Sequence, residues 1–148
     1  MLTALDIARY FLSLSAVDKE VGELMSNLKL QKLVYYAQGY SLAFYDEPLF
    51  DDKIEAWQHG PVVPDLYHKY KKHGDGHILP SKSFNSELYS EQVQKHLRLI
   101  YMEFGQFSAW RLRNMTHEEP PWLNAINGNR EITQKSMKNY FKTQIIEE

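Results

Sequence analysis

Asn27-Leu-Lys-Leu-Gln-Lys-Leu-Val-Tyr-Tyr-Ala-Gln-Gly39 is the stretch of this sequence that decides the fold. Extended to about Phe44, it places Leu30, Leu33, Val34, Ala37, Ser41 and Phe44 at the three- and four-residue spacing that stacks side chains on one helix face. Asn27 is a residue type that accepts a backbone N–H from the first turn, so the helix is predicted to be capped there. At about 100° per residue, Gln31, Tyr35, Gln38 and Leu42 form a second stripe, and Lys29 lies on the other flank. Two arrangements account for that second stripe. Either the helix is central and packed by neighbours on both sides, or it offers its Gln- and Tyr-bearing stripe to a partner.

Outward from this segment the same logic gives the remaining elements. Thr3 followed by Asp6 resembles a capping arrangement ahead of Leu5, Ala8, Phe11 and Leu12, predicting a helix to about Ala16. Asp46 to Pro48 breaks the helical period, and Leu49 to Trp57 is short and partly alternating, as in a small strand pair using Phe50, Ile54 and Trp57. His59, Gly60 and Pro61 form a tight connection, and Pro64 suits the first turn of a helix running from Asp65 to His73 and ended by Gly74. From Asp75 to Leu88 no period survives; this loop is long for one domain, although Ile78, Leu79 and Phe84 are available to pin it. Ser90 opens a helix carrying Val93, Leu97, Ile100, Tyr101 and Phe104 to Gly105. Ser108 caps a short helix through Asn114, Trp122 to Ile126 is a short turn after Pro120 and Pro121, and Thr133 caps a last helix with Met137, Tyr140, Phe141 and Ile145 inward. The expected fold is a mainly α, compact single domain over residues 1–148, with about five to six helices and one small β element around residues 49–62.

Composition narrows the function. The 148 residues include no cysteine, which removes disulfides, thiolate metal sites and cysteine nucleophiles and suits a reducing compartment, so the expected location is cytoplasmic. Asp6 and Arg9 interrupt the first apolar run, and no stretch approaches the roughly 18 to 20 apolar residues of a membrane span. A net charge of -2 provides no global pull toward nucleic acid, and Lys69, Lys71 and Lys72 fall where cations offset a helix C-terminus, so neither a membrane nor a nucleic-acid partner is expected. Aromatic residues make up 14% of the chain, ten of them Tyr, more rings than a small domain readily buries, which leans toward a protein interface.

Catalytic signatures are sparse. Phosphate-cradling glycine loops and a GxSxG elbow are absent. His68, His73 and His77 are close in sequence, but a Gly-Asp-Gly turn separates the last two, so no metal and no cofactor are expected. An acid/base pocket built from Glu55, His59 and His117 would support a small hydrolase-like enzyme if the fold joined them.

Three segments read together resemble a known family: Asn27 to Gly39; Phe50 through Ala56-Trp57-Gln-His-Gly-Pro-Val62 to Gly74; and Ser108 through Leu112 to Thr116-His117-Glu-Glu-Pro-Pro-Trp122. In order and spacing they resemble the Panacea domain of the SocA-like antitoxins, which include phage-associated GepA-like proteins. The resemblance implies a non-enzymatic, mainly helical antitoxin, encoded beside a toxin in a bacterial or prophage module. It would neutralise that cognate toxin by direct contact, or in an alternative mode act as an adaptor delivering the toxin to a cellular protease; homo-oligomers are compatible with either. Many members carry a further domain, and in a bare domain the loop from Asp75 to Leu88 or the termini would have to supply specificity. The candidate partner-binding residues are Gln31, Tyr35, Gln38, Trp57, His59, Tyr67, Trp110, His117 and Trp122. Together they would form a preformed surface from the Asn27 helix and the turn at His59 to Val62. For the three tryptophans, and for Leu28 to Val34, packing into the core is the competing role.

Overall fold

Most of the Asn27–Tyr45 helix (α2) is buried as far as Leu42, and the rest of the chain is arranged to bury it. The computed structural model describes residues 1–18 and 25–145. Ahead of α2 runs α1 (Ala4–Val17), opened by the capping box: the Thr3 hydroxyl accepts from the Asp6 amide, and the Asp6 carboxylate accepts from the Thr3 amide at 2.8 Å. Ile7, Ala8, Phe11 and Leu12 form its buried stripe. The N-cap of α2 is Ser26, whose Oγ accepts from the Lys29 amide, and not Asn27. Asn27 is already helical and its Oδ1 accepts from Gln31 Nε2.

After α2 the chain forms a hairpin of β1 (Ile54–Trp57) and β2 (Gly60–Val62), with Trp57 opposite Gly60 across a turn at Gln58 and His59. Gly60 and Pro61 thus belong to the second strand, where a connection was expected. Gly60 has φ 112°, and a Cβ there would come within 2.6 Å of Lys32 Cε and 2.8 Å of Thr116 Oγ1, so both backbone conformation and space require glycine. Next come α3 (Pro64–Tyr70), with Pro64 in its first turn, and a 3₁₀ turn, Lys71–His73. The segment to Leu88 is irregular apart from a 3₁₀ turn at Ser86–Leu88, yet it is fastened down. Ile78 is buried and its amide donates to the Met25 carbonyl, His77 Nδ1 accepts from the Met25 amide, and Phe84 packs edge-on against Tyr10; Leu79 is exposed.

Helices α4 (Glu91–Phe104), α5 (Ala109–Thr116), α6 (Pro120–Ile126) and α7 (Gln134–Lys142) complete the fold. Ser90, Ser108 and Thr133 cap α4, α5 and α7 through their hydroxyls, as expected. The described residues contain seven α-helices, one or two more than expected, because the prolines at 120 and 121 start a full helix instead of a short turn. A two-residue strand, β3 (Glu131–Ile132), joins β1 on the edge opposite β2, giving the antiparallel order β2-β1-β3. It is too short to have left a sequence signal. No helix of the described residues is long and apolar enough to cross a membrane.

The core centres on α2 against α7, α5, α4 and α1. Tyr36 stacks flat on Phe104 at 4.2 Å, and Phe141 of α7 meets Tyr35, Tyr36 and Tyr40. Phe141 enters the notch left by Gly39, where a Cβ would overlap its ring. Gly39→Ala is therefore expected to destabilise the fold by about 1–3 kcal/mol through overpacking, and Phe141→Ala by about 3–5 kcal/mol. Urea unfolding of both single variants and the double variant checks the contact: the Gly39→Ala cost should largely vanish once Phe141 is Ala.

Candidate functional site

The nine candidate residues divide into an inward and an outward set. Gln31, Tyr35 and Gln38 face inward, each at most 1% exposed, which corrects the expectation that their stripe meets a partner. Backbone geometry explains it: the chain around the hairpin leaves amides and carbonyls without ladder partners, and the two glutamines satisfy them. Gln38 Oε1 accepts from the Leu49 amide at 2.7 Å and its Nε2 donates to the Phe50 carbonyl at 2.8 Å. Gln31 Oε1 accepts from the Val63 amide at 2.9 Å. The Tyr35 hydroxyl donates to one oxygen of Glu119 at 3.0 Å, while Tyr36 donates to the other at 2.8 Å. The central helix packed on both sides is the arrangement this protein adopts.

Two lysines and a glutamate deepen this polar interior, and sequence reasoning missed all three. Lys29 Nζ donates to the carbonyl of Gly105, at the negative end of α4. Lys32 Nζ donates to the Pro61 carbonyl at 3.0 Å, tying α2 to the second hairpin strand. Burial brings the Lys32 ammonium down to about 7, and the Arg113 guanidinium adds to the depression. Glu119 stands at the N-cap of α6 but turns away from that helix toward Tyr35 and Tyr36. Burial pushes its carboxyl up to about 7, against the opposing effect of the two tyrosine hydroxyls.

Trp57, His59, Tyr67, Trp110, His117 and Trp122 gather around the hairpin turn and α5. His59 projects from the turn, where its Nδ1 accepts from Arg113 Nε at 3.0 Å, and its ring lies 6.0 Å from that of Trp110. Trp110 is 56% exposed, with the Arg113 guanidinium 4.3 Å above its ring. Trp57 and Tyr67 meet edge to face at 5.0 Å. A cleft of about 400 Å³ lies beside them, lined by Leu28, Trp57, His59, Val62, Tyr67 and Lys71 among others. Trp122 and His117 serve a different purpose. They stack at 4.1 Å, and Trp122 Nε1 donates to the Trp57 carbonyl, so this pair clamps α6 to the hairpin. The His117 imidazole is held below its usual range by burial, with Arg113 contributing, and its Nε2 is buried without a partner among the described residues.

The alternative acid/base set is not drawn into one pocket. Glu55 accepts from the Trp57 indole at 2.9 Å, and the cleft is lined by His59 but by neither Glu55 nor His117. A larger recess of about 630 Å³, bordered by Leu2, Tyr45, Leu88 and His96, contains none of the nine candidates. Among the described residues no three His, Asp or Glu side chains group as metal ligands. Arg113, weighed from sequence only as a cation that could join Lys69, Lys71 and Lys72 toward nucleic acid, belongs to this face, while Arg111 lies 4.8 Å over Phe107. Their signal was present: Arg113 follows Trp110 by three positions and Arg111 follows Phe107 by four, the spacings that bring helical side chains together.

Residues 30–123, more than half of the chain and spanning α2 to α6, match the family described as "Antitoxin SocA-like, Panacea domain". The chain is also similar to Antitoxin SocA of Caulobacter vibrioides (strain NA1000 / CB15N), at 27% identity over 139 residues, covering 81% of this chain and 73% of that protein. No solved structure matches.

The buried ionisable pair sets a pH dependence. Between about 4.5 and about 7 the folded chain retains a proton at Glu119 that the unfolded chain has lost, so stability falls as pH rises. Between about 7 and 10.5 the unfolded chain holds a proton at Lys32 that the folded chain has lost, so stability rises. Together the two groups place a minimum of stability near neutral pH. Urea midpoints measured across this range check it: Glu119→Gln should flatten the acidic limb, worth up to about 3 kcal/mol, and Lys32→Met the alkaline one.

Proposed function

The chain belongs to the SocA-like antitoxin family through its Panacea domain, and from that premise we propose that it neutralises a protein toxin by direct contact at the face bearing Trp57, His59, Tyr67 and Trp110. The observation that carries this reading is the convergence of these four side chains beside one cleft, two of them well exposed. Interfaces concentrate their energy in a few aromatic and arginine anchors set in a preformed surface, and this face has both. Its backbone is held from below by Lys32 and from the side by the Trp122 indole, so little ordering is left for the binding event. The role is non-catalytic: the aromatic side chains act by occupying the toxin's surface.

Co-expression with its cognate toxin, sought first in the gene beside this one, tests the reading. Wild type should restore growth, whereas the double substitution His59→Ala with Trp110→Ala should abolish rescue and weaken the purified complex by about 30-fold or more. Leu99→Ala, at an exposed position on α4, should leave both unchanged. Toxin abundance distinguishes blockade from delivery to a protease: a blocked toxin accumulates as a stable complex, whereas a delivered one is depleted in cells that contain this protein.

A further inference from the structure

We propose that the ridge of Trp110, Arg113 and His59 is the docking point for an acidic, carboxylate-bearing segment of the partner protein. The antitoxin reading supplies the identity of that partner; the chemistry of the segment comes from the ridge itself.

The Arg113 guanidinium lies on the Trp110 ring at 4.3 Å. Stacking fixes the plane of the fork and leaves its edge directed outward. Arg113 is restrained further, since Nε donates to His59 Nδ1 and Nη1 donates to Asn114 Oδ1 at 2.9 Å. The remaining terminal N–H groups of a guanidinium held in this way match the two oxygens of a carboxylate. Arg113 has no carboxylate within ion-pair distance among the described residues; the ion pairs there run from Asp46 to Lys138 and Lys142. Glu119, which follows α5, does not fill the gap, because it is turned inward onto Tyr35 and Tyr36. The uncompensated charge is felt inside the protein as well, where Arg113 lowers the proton affinity of both Lys32 and His117. An incoming carboxylate would accept from the Arg113 N–H groups that the bonds to His59 and Asn114 leave over.

The same surface favours a peptide over a polyanion. A nucleic-acid backbone gains its affinity from a long run of cations, and here Arg113 and the Lys71 of the adjoining cleft flank an exposed indole on a chain of net charge -2. Trp110 and the adjoining cleft of about 400 Å³, with Leu28, Val62 and Tyr67 in its lining, suit an apolar side chain next to the acid. The segment expected is therefore acidic residues interleaved with hydrophobic ones.

The test uses the whole chain and, as probe, a short end-blocked peptide of alternating Glu and Leu, titrated at low salt while tryptophan fluorescence is followed. The wild type should bind, and added salt should weaken the complex. Arg113→Gln and Trp110→Ala, each checked for an unchanged thermal transition, should each lose about tenfold or more, while Leu99→Ala binds normally. The corresponding Lys-Leu peptide should not bind. The proposal is overturned if the wild type ignores the Glu-Leu peptide, if folded Arg113→Gln and Trp110→Ala bind it as tightly as wild type, or if a short DNA duplex displaces it at equal concentration. Co-expression with the cognate toxin separates this proposal from the broader one. Should Arg113→Glu neutralise the toxin as well as wild type does, the ridge is not the docking point and the antitoxin role stands. Should the wild type neutralise nothing while the peptide still binds at Arg113, the antitoxin role fails and the acid-binding ridge stands.

Discussion

Burying one helix on all its faces is the constraint from which the rest of this structure follows. A helix with a single apolar stripe can leave its polar side chains in water, but α2 has no such side over most of its length. Each amide, hydroxyl and ammonium on it must then find a partner within the protein, because an unpaired buried polar group costs about 1–3 kcal/mol. The partners are the backbone groups that irregular segments leave unpaired. Gln38 serves the segment after α2, Gln31 the start of α3, Lys32 the hairpin and Lys29 the end of α4. The polar side chains of the central helix thus fix where the surrounding segments run, in addition to the apolar packing that holds them.

This arrangement explains which parts of the fold could be read from the sequence. The helices announce themselves through caps and spacing: Thr3, Ser90, Ser108 and Thr133 each cap the helix that follows. Spacing along α2 identifies two stripes, although Phe44 at the end of the first is exposed, and is silent on what covers them. A Gln-Tyr stripe looks the same whether it meets solvent, a partner or the backbone of its own chain, and the deciding information lies in segments far away in sequence. The two buried lysines are harder still, since their ammonium groups donate to carbonyls at Pro61 and Gly105 that only the assembled fold brings near. Ser26 as the cap, one residue before Asn27, shows the smaller ambiguity that arises when two capping residues are adjacent.

The candidate site was legible in a similar measure. Tryptophans and a histidine near a Gly-Pro turn mark the hairpin region, and the fold brings Trp57, His59, Tyr67 and Trp110 to one face. Sequence could not divide the exposed ring of Trp110 from the ring of Trp122, which is engaged in clamping α6, because both are large aromatics close to turns. The contacts of Arg113 were not legible as a set for a related reason: the ring it stacks on and the imidazole it donates to are brought together only by the folded surface.

The ring of Phe141 in the notch at Gly39 bears on where this domain begins and ends as a physical object. The family model covers residues 30–123, yet the knob that fills the central helix comes from α7, beyond that span. The span of the family model is therefore narrower than that of the packed core. A fragment trimmed to the family boundaries would expose an open slot flanked by Tyr35, Tyr36 and Tyr40 and lose the partner of its innermost glycine. Any transplant of this module into another protein has to keep the C-terminal helix with it.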